Sequence, residues 1–193
     1  MQGTIMAEHR GYLAFLERTL PEEGEGRAEG AARLCRAMGA MLSSGSVNEE
    51  DAEGLTPLMR AAANGAEGRV LRYLVAARAD VDRREGAPGP GRTPGRTALC
   101  LAASCGRAEA VEALAALGAD VNATAEDDEK TPAFIAAREG HIAVIEALGR
   151  LGADVNRAAS DGRTPVYIAA RFGHTAAIEA LVRFSADVSQ ATR

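Results

Sequence analysis

The chain of 193 residues contains no tryptophan, and four phenylalanines with three tyrosines bring the aromatic share to only 4%. Its 47% of hydrophobic residues is filled largely by alanine. Small side chains let helices approach closely, which suits thin stacked layers better than one wide core. Cysteine is scarce too. Cys35, Cys100 and Cys105 are odd in number, and their spacing fits neither a zinc knuckle nor a disulfide framework, so a reducing compartment is expected. No stretch approaches the roughly 18 uninterrupted apolar residues of a membrane span. The segment from Met1 to Arg10 lacks the apolar core of a signal peptide. The expectation is therefore a cytoplasmic or nuclear protein without membrane insertion. An excess of basic charge is also missing. Twenty-two Lys and Arg against 27 Asp and Glu leave a net charge of −5, which argues against a module that grips nucleic-acid backbones.

What the chain does have is repetition. Thr164-Pro165-Val166-Tyr167-Ile168-Ala169-Ala170-Arg171-Phe172-Gly173-His174 repeats the frame of Thr131-Pro132-Ala133-Phe134-Ile135-Ala136-Ala137-Arg138-Glu139-Gly140-His141. The same frame starts at Thr97 and Thr56, giving spacings of 41, 34 and 33 residues. Periods of this size mark units that cannot bury their apolar faces alone and must stack, so the fold expected is an all-α solenoid.

Each unit has a physical grammar. A threonine hydroxyl before proline at Thr56, Thr131 and Thr164, and before Ala98 at Thr97, predicts a helix start. Paired alanines leave no bulk where helices meet, and Gly65, Gly106, Gly140 and Gly173 supply a left-handed stop about two turns later. A second helix follows, with apolar positions at Val111, Leu114 and Leu117, at Ile142, Ile145 and Leu148, and at Ile178, Leu181 and Val182. Polar loops then lead to the next threonine, with Gly54, Gly95 and Gly162 two residues before it and Glu129 in that place once. These loops are read as projecting fingers. Upstream, Tyr12 to Leu20 and Ala31 to Leu42 carry helical periodicity, and Val47-Asn48 precedes Thr56 as Val155-Asn156 precedes Thr164. Residues 1–50 are accordingly expected to form a degenerate two-helix terminal repeat.

Candidate chemistry is sparse. Gly24-Glu25-Gly26-Arg27-Ala28-Glu29-Gly30 follows a helix rather than a strand, so it reads as a solvated loop and not a phosphate cradle. The Gly/Pro-rich Gly86 to Gly95 lacks the Lys of a P-loop and reads as a long flexible finger. His141 and His174 occupy one position in two repeats and are expected to hydrogen-bond the turn between helices. Cys100 and Cys105 are five residues apart on a helix and cannot readily share a metal. The run Glu126-Asp127-Asp128-Glu129 lacks the alternating ligands of a calcium loop and reads as a solvated tip that could face a basic partner segment. No catalytic, cofactor or metal residues are assigned.

From about Asp51 onward these residues resemble the ankyrin repeat family, through its Gly-x-Thr-Pro-Leu-His-x-Ala-Ala-x-x-Gly-His and Gly-Ala-Asp-Val-Asn signatures. Four copies are expected within 51–193, at about 51–83, 92–124, 126–158 and 159–191, with an insertion at 84–95. Arg60 departs from Leu101, Ile135 and Ile168 of the other copies, and Cys100 and Tyr167 stand where the family commonly has His. The resemblance implies a protein-binding module that works by rigid presentation, with contacts from the exposed ends of the first helices and the finger tips lining a concave surface. The helix-end positions are Ala63, Asn64, Ser104, Cys105, Arg138, Glu139, Arg171 and Phe172. The finger positions are Thr93, Asp127, Asp128, Lys130, Ser160, Asp161 and Arg163. Arg138, Arg171 and Phe172 rank first as anchors. A monomer is expected, with an unknown protein as its partner. The same module could be the recruiting part of a larger signalling, adaptor or catalytic protein, whereas a free-standing enzyme would need a deep pocket that a thin stack rarely builds. The resemblance also offers Asn122 and Asn156 as asparaginyl hydroxylation targets, against the simpler role of tying the base of a finger.

Overall fold

The computed structural model describes residues 47–51, 53–86, 95–125 and 129–189. The helices expected before residue 43, the finger from 87 to 94 with Thr93, and the acids Glu126, Asp127 and Asp128 lie outside these residues. Eight helices, in four pairs, account for all the regular structure among the described residues. They are α1 Pro57–Asn64, α2 Gly68–Ala76, α3 Ala98–Ser104, α4 Ala108–Ala116, α5 Pro132–Glu139, α6 Ile142–Arg150, α7 Pro165–Arg171 and α8 Thr175–Arg183.

Each first helix starts where a threonine stands before it. The hydroxyls of Thr56, Thr97, Thr131 and Thr164 accept from the backbone N–H of Met59, Cys100, Phe134 and Tyr167 at 3.2–3.4 Å. These threonines are at most 5% exposed, so the capping bond also satisfies a hydroxyl that water does not reach. Gly140 ends α5 with φ +74, a left-handed turn that a side chain would strain.

First helices stack on first helices and second on second: α1, α3, α5 and α7 form one row, and α2, α4, α6 and α8 the other. The core runs along the seam. Leu58, Leu71, Leu74, Leu99, Leu114, Phe134, Ile145, Leu148 and Leu181 are at most 1% exposed, interleaved with alanines that let the rows close. The second-helix pattern needs correction at three places. Leu117 caps α4 half-buried, Ile142 opens α6 at 39% exposed and Val182 is 47% exposed, while Val144 and Ala147 take the buried places. Leu117 and Ile142 sit at helix ends, where the chain has already turned toward solvent. Phe184 packs against Gly149 so closely that a Cβ there would lie 2.3 Å from its ring.

Between repeats the finger bases form a ladder. Asn48, Asp82, Asn122 and Asn156 each accept, through a side-chain oxygen, the backbone N–H of the aspartate at the next base: Asp80, Asp120, Asp154 and Asp187, at 2.7–3.0 Å. Asn156 also donates to Ser185 O at 3.1 Å, as Asn48 does to Arg78 O at 3.0 Å. Asn122 and Asn156 thus hold the fingers in step.

Candidate protein-binding face

A finger stem and the last turns of the first helices lie near one another on one side: the charges of Arg96 and of Glu139, one repeat on, both act on Cys105. Along this side the first two repeats present small residues: Ala63, Asn64 and Ser104 are half-buried and Cys105 is exposed. The third and fourth repeats present charge and an aromatic ring. Arg138 is half-buried and pairs with exposed Glu139 at 2.8 Å. Arg171 is exposed, and no partner for its guanidinium occurs among the described residues. Phe172 is 54% exposed, its ring lying 6.3 Å from that of His174 at an interplanar angle of 16°.

The scaffold behind these side chains is tied across repeats. His141 Nε2 donates to Ser104 O and His174 Nε2 to Arg138 O, both at 3.0 Å. The bonds therefore reach the first helix of the preceding repeat rather than the turn within the histidine's own repeat. The reason is proximity: each ring lies over the preceding repeat's left-handed glycine, where a Cβ would come within 2.9 Å of it. Arg107 fills this place once, donating to Ala63 O at 3.3 Å.

The fingers are closed at their bases by backbone bonds, Ala125 N to Lys130 O at 3.3 Å and Ala159 N to Arg163 O at 2.9 Å. At the fourth finger Asp161 accepts from Arg163, and the Arg163 guanidinium beside it holds the carboxyl below its usual range. Ser160 and Asp161 are exposed, and Lys130 and Arg163 half-buried. The charge of Lys130 in the third finger reaches Asp161 in the fourth.

Two features of this side escaped the sequence reading. Glu85 is 3% exposed and accepts from both Nε and Nη2 of Arg96, at 2.7 and 3.0 Å, while Glu85 N donates to Arg96 O at 2.9 Å. Hydrogen bonding to Glu85 raises the Arg96 guanidinium above its ordinary value against the opposing effect of burial. Arg84 donates to Gly95 O at 3.3 Å and to Thr124 O, linking the insertion to the next finger. A signal existed: Arg96, Lys130 and Arg163 each stand immediately before a capping threonine, which marks the finger stem as a basic position. Likewise Arg60, anomalous among apolar counterparts, reaches Asp51 of its own finger with Nε at 2.7 Å.

Cys100 is buried and its Sγ donates to Ala123 O at 3.4 Å; burial pushes its thiol up, away from the reactive thiolate. Desolvation also pushes the Cys105 thiol up, against the nearby charges of Arg107 and Arg96. Among the described residues no three His, Cys, Asp or Glu side chains are grouped to hold a metal ion, and no helix is long and apolar enough to cross a membrane.

A family model described as ankyrin repeats, in three copies, matches residues 28–125 and 123–192. No curated protein matches the chain.

Proposed function

The chain belongs to the ankyrin repeat family, whose repeats are generally protein–protein interaction modules, and from that premise we propose that it binds a protein partner on the side formed by the helix ends and fingers, chiefly at the third and fourth repeats. The observation that carries this reading is a 54% exposed Phe172 next in sequence to an exposed Arg171 whose guanidinium meets no partner among the described residues. An aromatic ring and a guanidinium are the side chains that most often dominate interface energies. Arg138 and Glu139 lie one repeat step away and add charge that a partner can match.

Rigid mounting supports the same reading. The His174 bond to Arg138 O and the Asn156 bond to Asp187 N join the two repeats at both edges. A face already ordered loses less entropy on binding. The small residues at Ala63 and Ser104 leave room for a partner's own side chains over the first two repeats.

The test is parallel affinity capture from the native cell with wild-type chain, Phe172→Ala and Arg138→Ala, followed by binding measurements on whatever the wild type retains. Each variant should weaken binding by about thirtyfold, the scale of a hot-spot truncation of ~2 kcal/mol, while the thermal midpoint stays nearly constant. Glu146→Ala and Glu179→Ala, on the second-helix side, should leave binding intact. Binding lost in the latter pair and kept in the former would place the interface elsewhere.

A further inference from the structure

Of the 22 lysines and arginines in the chain, Arg157 alone has a serine or threonine three residues further on, Ser160. Both side chains are exposed. Arg138, Arg150, Arg163 and Arg183 of the last two repeats each meet a carboxylate, whereas Arg157 meets none among the described residues. The Ser160 hydroxyl makes no hydrogen bond among them either. One group is therefore free to be gripped and the other free to react.

Ser160 sits at the tip of the fourth finger. Ala159 N donates to Arg163 O and Gly162 N to Ala159 O, both at 2.9 Å, which closes the neck behind it. Next to it Asp161 accepts from Arg163 Nε at 2.7 Å, and the charge of Lys130 comes across from the third finger. A tip whose carboxylate has two cations about it can take a further anion. Drawing residues 157–163 into the extended form that a kinase cleft takes breaks the two neck bonds and lifts out Ala159, which is 5% exposed. The Asn156 bonds to Asp187 N and Ser185 O lie before this stretch and the Thr164 cap after it, so the helices stay formed while the tip opens.

We infer that Ser160 is a phosphorylation site. The donor is ATP and the enzyme is a basophilic serine/threonine kinase, whose cleft carboxylates take the Arg157 guanidinium as a substrate charge pattern. Ser160 Oγ attacks the γ-phosphorus, the bond from that phosphorus to the β,γ-bridging oxygen breaks, ADP leaves and the hydroxyl proton passes to the kinase's base. The product carries close to two negative charges beside Asp161. Repulsion turns the phosphate from that carboxylate toward Arg163 and Lys130, and the bond to Lys130 ties the fourth finger to the third. None of this needs Phe172 or Arg138 to touch a partner, so the site and the binding face fail separately.

The test treats the 193-residue chain with magnesium ATP and a kinase catalytic subunit that selects arginine at this spacing, beside a free peptide of residues 154–167, and locates the phosphate by mass spectrometry. Ser160 should be modified in both. Arg157→Ala removes a side chain already in water, so the thermal midpoint should stay in place. It should lower kcat/KM at Ser160 by about tenfold or more, the loss of one charge-assisted contact. In phosphorus NMR the second ionisation of the Ser160 phosphate should come at lower pH in the chain than in the peptide, because a nearby cation favours the dianion. Lys130→Ala should remove that difference. Absence of phosphate from Ser160 of the folded chain, a rate indifferent to Arg157→Ala, or a second ionisation no lower in the chain than in the peptide overturns the proposal.

Discussion

Asp82 puts a carboxylate into a ladder whose other rungs are amides. Asn48 and Asn156 use both halves of the group, accepting from the next Asp N–H and donating to a carbonyl two residues earlier. Asp82 accepts from Asp120 N at 3.0 Å, but an ionised carboxylate has no hydrogen for the carbonyl of Gly118. Asp82→Asn should therefore stabilise the fold by about 1 kcal/mol, read as a higher urea midpoint at unchanged slope. A lower midpoint would show that the negative charge itself is used. Glu129 is the second anomaly. It holds φ +48 where Gly54, Gly95 and Gly162 hold +78 to +89. The left-handed conformation costs an ordinary residue about 1–2 kcal/mol, partly offset in a substitution by the extra freedom glycine gives the unfolded chain. Glu129→Gly should gain about 0.5 kcal/mol on balance by the same measurement.

At the scale of elements, the first helices stand on their caps. α3 and α7 have 7 residues each and α5 has 8, too short to hold without tertiary help. Thr131→Ala should cost about 1–2 kcal/mol, because it removes the bond to Phe134 N at the start of α5. The insertion finger behaves oppositely. Its stem is the Glu85 and Arg96 pairing, with Gly95 N donating to Glu85 O at 3.2 Å. Excising residues 87–94 would join Gly86 to Gly95 as a two-residue glycine turn, a connection suited to such a stem. The thermal midpoint should then stay nearly unchanged, since shortening a surface loop costs little. A fall like that from Leu148→Ala, about 2–5 kcal/mol for a buried leucine, would show that the finger packs on the stack.

The molecule as a whole is a one-dimensional array, in which helices pack mainly on their own partner and on the equivalent helix one repeat away. Stability in such an array is close to a sum over units and junctions. Leu181→Ala, in the fourth repeat, should therefore raise amide exchange across α7 and α8 while leaving the amides of Leu71 and Leu74 protected. Uniform loss of protection through all four pairs would show a more cooperative stack than this contact pattern implies. The same geometry lets the proposed binding face run along the array, gathering a residue or two from every repeat.

What the sequence determined was local. Thr-Pro starts, glycine stops, alanine pairs and the 33-residue step depend on dihedral and hydrogen-bond preferences of neighbouring residues, so the helix pairs were legible without coordinates. The likeness of repeat to repeat also put Arg138 and Arg171 in the same register position, one repeat apart. Contacts between residues far apart in the chain were not legible. Glu85 finds Arg96 across an insertion, and His174 reaches a carbonyl 36 residues back. Val155 and Val188 are the same residue in the same frame, yet one is 3% exposed and the other 62%. Nothing in either valine decides this. Burial belongs to the junction, and only the stack determines which face has a neighbour.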